Sequence, residues 1–119
     1  LKSRLIKYGA TCWLVNTGWT GGPYGIGNRM KLKYTRAMIT AALEGKLNNA
    51  EFDMHPVFGM AIPAACPHVP SEILNPRNTW TDKTAYDEKA KFLANLFIKN
   101  FDKYKDGVTA EVLAAQPKF

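Results

Sequence analysis

Long apolar runs are absent from this sequence, and none approaches the roughly 20 residues that a membrane-spanning helix needs. No basic segment followed by an apolar one opens the chain, so we expect neither a membrane segment nor a secretory signal. Cysteine is scarce, since Cys12 and Cys66 are the only two in 119 residues, and they form no C-x-x-C or other ligand-like spacing. We therefore expect a cytoplasmic protein whose two thiols are buried as small hydrophobic side chains.

Residues that break bonds or hold metals are also few. His55 and His68 have no carboxylate or thiol at a ligand spacing beyond lone neighbours such as Asp53 and Cys66. No serine lies in a G-x-S-x-G elbow, and neither histidine has a convincing partner for nucleophilic catalysis. The sequence therefore predicts no catalytic residue and no metal site within this chain.

Acidic residues are missing from the chain before Glu44, although the same stretch holds seven cations and the whole chain carries a net charge of +6. This asymmetry indicates an anionic partner. Nucleic acid is one candidate, but aromatic residues for base stacking interleave little with the cations there, and no RNP, zinc-finger or K-homology signature is present. A compact phosphate ligand fits as well. The cations are Lys2, Arg4, Lys7, Arg29, Lys31, Lys33 and Arg36, and a solvated face is the simpler interpretation of Lys31 and Lys33.

Glycine is what this basic region has in abundance, with five of the nine glycines between Gly18 and Gly27. Counted from Gly22, the loop follows the Walker A spacing until Asn28 and Arg29, where lysine and then serine or threonine would be required. A magnesium triphosphate cannot be held there in the usual way. Positive φ angles and close approach of the backbone to a ligand remain possible, with a structural turn as the alternative.

The elements around the glycines predict where an anion would bind. Before them, "TCWLVNTGW" is rich in β-forming residues and predicts a buried strand. After them, "TRAMITAALEG" predicts a helix with Thr35 as its N-cap and Gly45 at its end. A helix that starts near Thr35 would present free N–H groups and the positive end of its dipole beside the cations from Arg29 to Arg36.

The remaining segments predict a single mixed domain, as the length of 119 residues suggests. A first helix is predicted over Leu1–Tyr8, with Gly9 at its end. Because it starts without methionine or an N-cap, we expect a fragment of a longer chain. Prolines exclude long helices between Glu51 and Trp80. Within that stretch "VFGMAIP" predicts a strand and "PSEILNPRNTW" an ordered loop or short helical turn. An amphipathic helix is predicted from Asp82 to Tyr104, followed by a small terminal helix with an extended tail.

Four segments together resemble the C-terminal part of the ATP-dependent phosphoenolpyruvate carboxykinases. They are "CWLVNTGWTGGPYGIGNRMKLKYTRAMITAAL", "PVFGMAIP", "VPSEILNPRNTW" and "KFLANLFIKNFDKY", collinear over nearly the whole chain. The resemblance implies an α/β fold, with residues 1–119 a C-terminal fragment of the nucleotide-binding domain and no second domain. This fragment would belong to the C-terminal mononucleotide-binding lobe, a mixed sheet with flanking helices, and its strands would complete a sheet begun by upstream sequence.

The same resemblance implies a gluconeogenic reaction in which oxaloacetate loses CO2 and the resulting enolate takes the γ-phosphoryl group of ATP. Family members use Mg²⁺ with the nucleotide and a second divalent ion, commonly Mn²⁺. The metal ligands, the P-loop and the substrate arginine lie upstream in the family, so we expect this chain alone to be inactive. Its partners would be ATP, oxaloacetate and the upstream part of the same polypeptide, with no nucleic acid or membrane. The alternative is a small basic module that binds nucleic acid.

The residues that contact the nucleotide in this part of the family correspond to Arg29, Met30 and Thr35. Their chemistry suits the adenosine end of ATP: a planar guanidinium for stacking on adenine, a soft apolar contact, and a hydroxyl at a helix start. Many relatives have lysine where this chain has Asn28, to which we assign no role. We expect Asn75, Arg77 and Asn78 to form a hydrogen-bonded structural loop, with a position lining the active cleft as the alternative.

Overall fold

The structure is a computed structural model that describes residues 1–119. Its helices are α1 (Lys2–Tyr8), α2 (Leu32–Leu43), α3 (Pro76–Thr79), α4 (Lys83–Phe101) and α5 (Ala110–Ala114). Its strands are β1 (Trp19–Thr20), β2 (Asn28–Arg29), β3 (Phe52–Met54) and β4 (Ala61–Pro63), and they form two antiparallel pairs, β1 with β2 and β3 with β4. The mixed α/β class is as predicted. None of the helices combines the length and apolar character needed to cross a bilayer.

The first helix has the predicted end. Gly9 follows α1 with φ 60° and ψ 28°, the left-handed conformation that glycine adopts without strain. No side-chain hydrogen bond caps the start of α1, and none of its residues is buried. An exposed ion pair of 3.0 Å joins Lys2 Nζ to Glu111 Oε2 of α5, so α1 is attached to the rest of the chain at its surface.

The strand predicted over "TCWLVNTGW" is wrong for most of its length. Only Trp19 and Thr20 are in a strand, and the residues before Gly18 have no strand partner. Leu14 is 81% exposed, and Cys12, predicted to be buried, is exposed as well. The physical reason is that a strand needs a neighbour to pair its N–H and C=O groups, and neither small sheet of this chain extends beside this segment.

The second helix begins four residues earlier than predicted. Its N-cap is Lys31, in an extended conformation with φ −62° and ψ 133°, and the Tyr34 N–H already donates to Lys31 O at 2.9 Å. Thr35 therefore lies within the helix and is not its N-cap, which corrects the prediction. At the other end Gly45 has φ 70°, as expected of the residue that ends the helix.

A hairpin occupies the segment in which a single strand was predicted. Residues 57–60 of "VFGMAIP" belong to the loop between the strands, and the strand itself is limited to Ala61–Pro63. It pairs with Phe52–Met54, a strand that the prediction missed. Sequence reasoning missed β3 because a strand of three residues is too short to show a period-two pattern.

The proline-rich segment leads into the longest helix, as predicted. A 3-10 turn over Ser71–Ile73 precedes α3, and Asn75 caps the start of α3, where its side chain accepts from the Arg77 N–H at 3.1 Å. Asp82 caps α4 in the same way through the Ala85 N–H at 3.0 Å. Such caps satisfy N–H groups that a helix start leaves free.

Two small apolar clusters form the core. One joins α2 to the loop before the 3-10 turn and contains Ala41, Leu47, Cys66 and Val69, so the prediction of burial holds for Cys66. The other joins the β3–β4 hairpin to α4 and contains Val57, Ala90 and Ala94. The terminal helix α5 and the extended tail are present as predicted, and the tail docks where the Lys118 N–H donates to Val57 O at 2.9 Å.

Candidate functional site

The glycine-rich segment forms a hairpin, here called the glycine hairpin and comprising residues 19–29. Strands β1 and β2 pair Trp19 with Arg29 and Thr20 with Asn28. The connecting loop contains glycines at φ 80°, 153° and 91°, which are Gly21, Gly22 and Gly25. Residues other than glycine rarely adopt these φ angles, so the loop depends on its glycines for its shape.

Gly27 is required for a different reason, because the backbone of the hairpin crosses itself closely at this residue. A Cβ atom there would lie 2.6 Å from Thr20 O, a separation too short for a side chain to occupy. The Ile26 and Gly27 N–H groups both donate to Pro23 O, at 3.0 and 2.9 Å. The loop is therefore a closed turn that is held by its own backbone.

The glycine hairpin is attached to α3 through one hydroxyl. Thr79 Oγ1 accepts from the Gly21 N–H at 3.0 Å and donates to Pro76 O at 2.8 Å. Thr20 Oγ1 lies 3.2 Å from the same oxygen. These contacts join residues that are 58 and 59 positions apart in sequence.

Helix α3 is in turn fastened to α4. Arg77 donates from Nε and Nη2 to the two carboxylate oxygens of Asp87, at 2.8 and 2.9 Å. The Arg77 hydrogen bonds lower the pKa of the Asp87 carboxyl below its usual value. Lys83 Nζ donates to three backbone carbonyls, those of Arg77, Asn78 and Trp80, at 3.0, 2.9 and 2.7 Å. The last carbonyls of a helix have no partner within the helix, and Lys83 supplies one to those of Arg77 and Asn78 in α3.

Three residues were predicted to contact a nucleotide, and they lie in sequence along the exit from the glycine hairpin. Arg29 ends β2 and is exposed. Met30 is half-buried, and its N–H donates to Gly18 O at 3.0 Å, which extends the hairpin by one rung. Thr35 is half-buried in the first turns of α2, and its N–H points at Lys31 O at 3.4 Å.

The start of α2 is electropositive for two reasons. The Leu32 and Lys33 N–H groups precede the first possible intrahelical acceptor, so they face outward without one. In addition, the four ion pairs of the structure involve none of the cations from Arg29 to Arg36. The arrangement suits an anion near the start of this helix.

A second basic feature lies on another side of α2. A cavity of about 250 Å³ opens between the helix and the loop that follows β4, and its lining includes Lys33, Arg36, Lys46 and His68. Lys46 is paired with Glu44. At 100° per residue, Thr35 points away from the direction shared by Lys33 and Arg36, so this cavity is separate from the predicted nucleotide contacts.

The buried histidine belongs to the other hairpin. His55 Nδ1 accepts from the Val57 and Phe58 N–H groups, both at 3.2 Å, so the proton of the neutral ring is on Nε2. Nε2 lies 2.8 Å from Tyr86 Oη. Burial lowers the pKa of His55, an effect that the Asp87 charge partly opposes, and burial raises the pKa of Tyr86. These groups satisfy one another, and we assign them a structural role.

The chain contains no group of three or more His, Cys, Asp or Glu side chains placed to hold a metal ion. Sequence reasoning missed Thr79 and Thr20 as contributors to the site. The available signal was the "PRNTW" motif, which was interpreted as a structural loop; Asn75 and Arg77 do form such a loop, whereas Asn78 is exposed and contributes its backbone carbonyl.

Comparison with known proteins places this geometry in context. The family profile described as phosphoenolpyruvate carboxykinase matches residues 1–72. A relative from Flavobacterium johnsoniae named phosphoenolpyruvate carboxykinase (ATP) is 65% identical over 105 residues, 88% of this chain and 20% of the relative. One of the same name from Caldanaerobacter subterraneus subsp. tengcongensis is 58% identical over 118 residues, 99% of this chain and 22% of the relative. The chain thus spans about a fifth of the length of these curated relatives.

Proposed function

Since the chain belongs to the phosphoenolpyruvate carboxykinase family, we propose that it is the C-terminal part of an ATP-dependent carboxykinase. The whole protein would convert oxaloacetate and ATP to phosphoenolpyruvate, ADP and CO2. In this proposal the chain is part of the mononucleotide-binding lobe, and its exposed segment over residues 11–18 joins a sheet of the longer polypeptide. The reaction would take place in the cytoplasm.

We assign the adenosine end of ATP to Arg29, Met30 and Thr35. One observation carries this assignment: the glycine hairpin ends in Arg29, which is exposed, has no ion pair and directly precedes Met30, so its guanidinium is free to lie on a base. The Arg29 guanidinium stacks on the adenine ring, and Met30 contributes an apolar contact. Thr35 offers its hydroxyl from within the first turns of the helix rather than as a cap.

The chain's own residues do not fit a divalent metal, because no three potential ligands lie together. We therefore place the Mg²⁺ that accompanies the nucleotide and the second ion, Mn²⁺, on other parts of the longer polypeptide. The role left to this chain is to hold the base and ribose so that the triphosphate is oriented toward the reacting centre. It follows that the 119-residue chain alone should form no phosphoenolpyruvate.

Replacing Arg29→Ala in the full-length protein tests the assignment. We expect ATP binding to weaken by about 1–2 kcal/mol, roughly a 5- to 30-fold rise in KM for ATP, with kcat little changed. A contact on adenine is the same in the ground state and the transition state, and uniform binding of that kind appears in KM. The measurement is steady-state kinetics with ATP varied and oxaloacetate saturating.

Arg4→Ala is the matched control, because it removes an exposed arginine on α1 that is remote in sequence from the glycine hairpin. It should leave KM for ATP unchanged. A large fall in kcat at constant KM for Arg29→Ala would place this arginine near the transferring phosphoryl group instead. A steep salt dependence of polynucleotide binding, without competition by ATP, would favour the basic nucleic-acid-binding module.

A further inference from the structure

We infer that Thr79 is a positioning residue for nucleotide binding, holding the glycine hairpin in register with the α3–α4 unit. The inference rests on the proposed function, since it assumes that the hairpin delivers Arg29 to the nucleotide. Nothing in the chemistry of Thr79 requires contact with ATP, and its hydroxyl acts through the loop.

Every hydrogen-bonding capacity of this hydroxyl is in use. A threonine hydroxyl has one hydrogen to donate and two lone pairs to accept with. Its hydrogen goes to Pro76 O at 2.8 Å, which leaves its lone pairs for the Gly21 N–H at 3.0 Å and the Thr20 hydroxyl at 3.2 Å. The direction of each bond is therefore fixed, and the group has no freedom to rotate away from the hairpin.

Charged side chains hold α3, which carries Thr79, in place against α4. The two-pronged contact of Arg77 with Asp87 fixes the middle of α3 against α4. The three carbonyl contacts of Lys83 fix the turn between the two helices. Thr79 is the last residue of α3. Because α3 is held against α4, the Thr79 hydroxyl keeps the glycine hairpin at a fixed place relative to α4.

The position of Arg29 depends in turn on the position of the glycine hairpin. Thr20 pairs with Asn28, and Trp19 pairs with Arg29, so a shift of the first strand moves the second. The Gly21 N–H is directed toward Thr79 and donates to its hydroxyl at 3.0 Å. Loss of the hydroxyl would free this corner of the loop and displace Arg29 relative to the start of α2.

The test compares Thr79→Val with Thr79→Ser in the full-length protein. Valine has the shape of threonine but removes all three hydrogen bonds, whereas serine keeps the hydroxyl. We expect Thr79→Val to raise KM for ATP on the order of five- to tenfold with kcat and KM for oxaloacetate within about twofold of the parent. Thr79→Ser should restore KM for ATP. The control is Thr81→Val, since Thr81 is exposed two residues further on and makes no side-chain hydrogen bond in the chain.

The outcomes separate this inference from the proposed function. An unchanged KM for ATP in Thr79→Val, beside a raised one in Arg29→Ala, would overturn the inference and leave the function intact. A normal KM for ATP in Arg29→Ala would overturn the assignment of the adenosine contacts, on which this inference rests. If Thr79→Val lowers kcat and raises both KM values to a similar degree, and Thr79→Ser does not restore them, Thr79 has a general structural role. That result would also overturn the inference. If Thr79→Val does not fold, Thr20→Val removes one of the three contacts, and an unchanged KM for ATP there would contradict us.

Discussion

The two hairpins of this chain are built in opposite ways. In the glycine hairpin the shape comes from the backbone: glycines at positive φ, a closed turn on Pro23 O, and one buried residue, Gly22. In the second hairpin, residues 52–63 and here called the histidine hairpin, His55 and Val57 are buried and pack against α4. A hairpin filled by its own side chains has no room for a ligand, whereas one shaped by glycine keeps its outer surface free.

A side chain added inside the glycine hairpin should affect ATP binding more than any other change considered for the two hairpins. Gly27→Ala would place a methyl group against Thr20 O and the Gly22 backbone, and neither can move without opening the turn. Overpacking of this kind costs about 1–3 kcal/mol. If that strain is relieved by displacing Arg29, we expect KM for ATP in the full-length protein to rise by at least about tenfold, as steady-state kinetics would show.

Gly107→Ala is the control for this substitution, because a Cβ at Gly107 meets nothing within 4 Å and its φ is not positive. It should behave like the parent protein. Normal ATP affinity in Gly27→Ala would mean that the loop tolerates a different shape, and the contrast between the two hairpins would lose its functional meaning.

In the histidine hairpin we expect a change in stability and none in ATP affinity. Tyr86→Phe deletes the hydroxyl that lies 2.8 Å from His55 Nε2 and leaves a buried N–H without its partner. The expected loss is about 1 kcal/mol of local opening free energy. Hydrogen exchange of the Val57 and Phe58 amides measures it, since both donate to His55 Nδ1. A raised KM for ATP would contradict the division of roles.

The smallest expected effect is a pH dependence of the same hairpin. Burial lowers the pKa of His55 in the folded chain, so the unfolded state takes up a proton more readily, starting near the ordinary value of about 6.5. Stability is therefore complete above that pH and falls as the pH drops through the lowered pKa. Of the groups near His55, burial raises the pKa of Tyr86 and the Arg77 hydrogen bonds lower the pKa of Asp87, so both shifts are away from this pH. Protection of the Val57 and Phe58 amides, corrected for intrinsic exchange rates, should decrease below about pH 6.5 and be insensitive to pH above it.

Prediction from the sequence succeeded for elements whose signal lies within their own residues. The helix from Asp82 to Tyr104 was predicted because its apolar residues repeat at helical spacing, and the structure confirms it over Lys83–Phe101, with Asp82 as the N-cap. The start of α2 was misplaced, since Thr35 is the better capping residue by type while the chain turns into the helix at Lys31. The segment over residues 11–18 was predicted as a strand from its composition, but strand formation depends on a partner that this chain does not supply.

The candidate site likewise contains residues that the sequence identified and one that only the fold revealed. The family resemblance selected Arg29, Met30 and Thr35, and their role stays a prediction. Thr79 was not selected, because its importance arises from contacts with Thr20 and Gly21, almost 60 positions away in sequence. No periodicity or spacing rule describes such a contact, so a hydroxyl in a short proline-led helix looks ordinary until the fold brings the loop to it.

The two cysteines differ in a way that makes the chain convenient for spectroscopy. Cys66 is 6% exposed within the first apolar cluster, and burial raises the pKa of its thiol, so little reactive thiolate is present near neutral pH. Cys12 lies open on the extended segment next to Trp13. A maleimide dye should therefore attach to Cys12 of the chain and spare Cys66. In the longer polypeptide, the rate of the same labelling reaction would report directly whether that segment is covered.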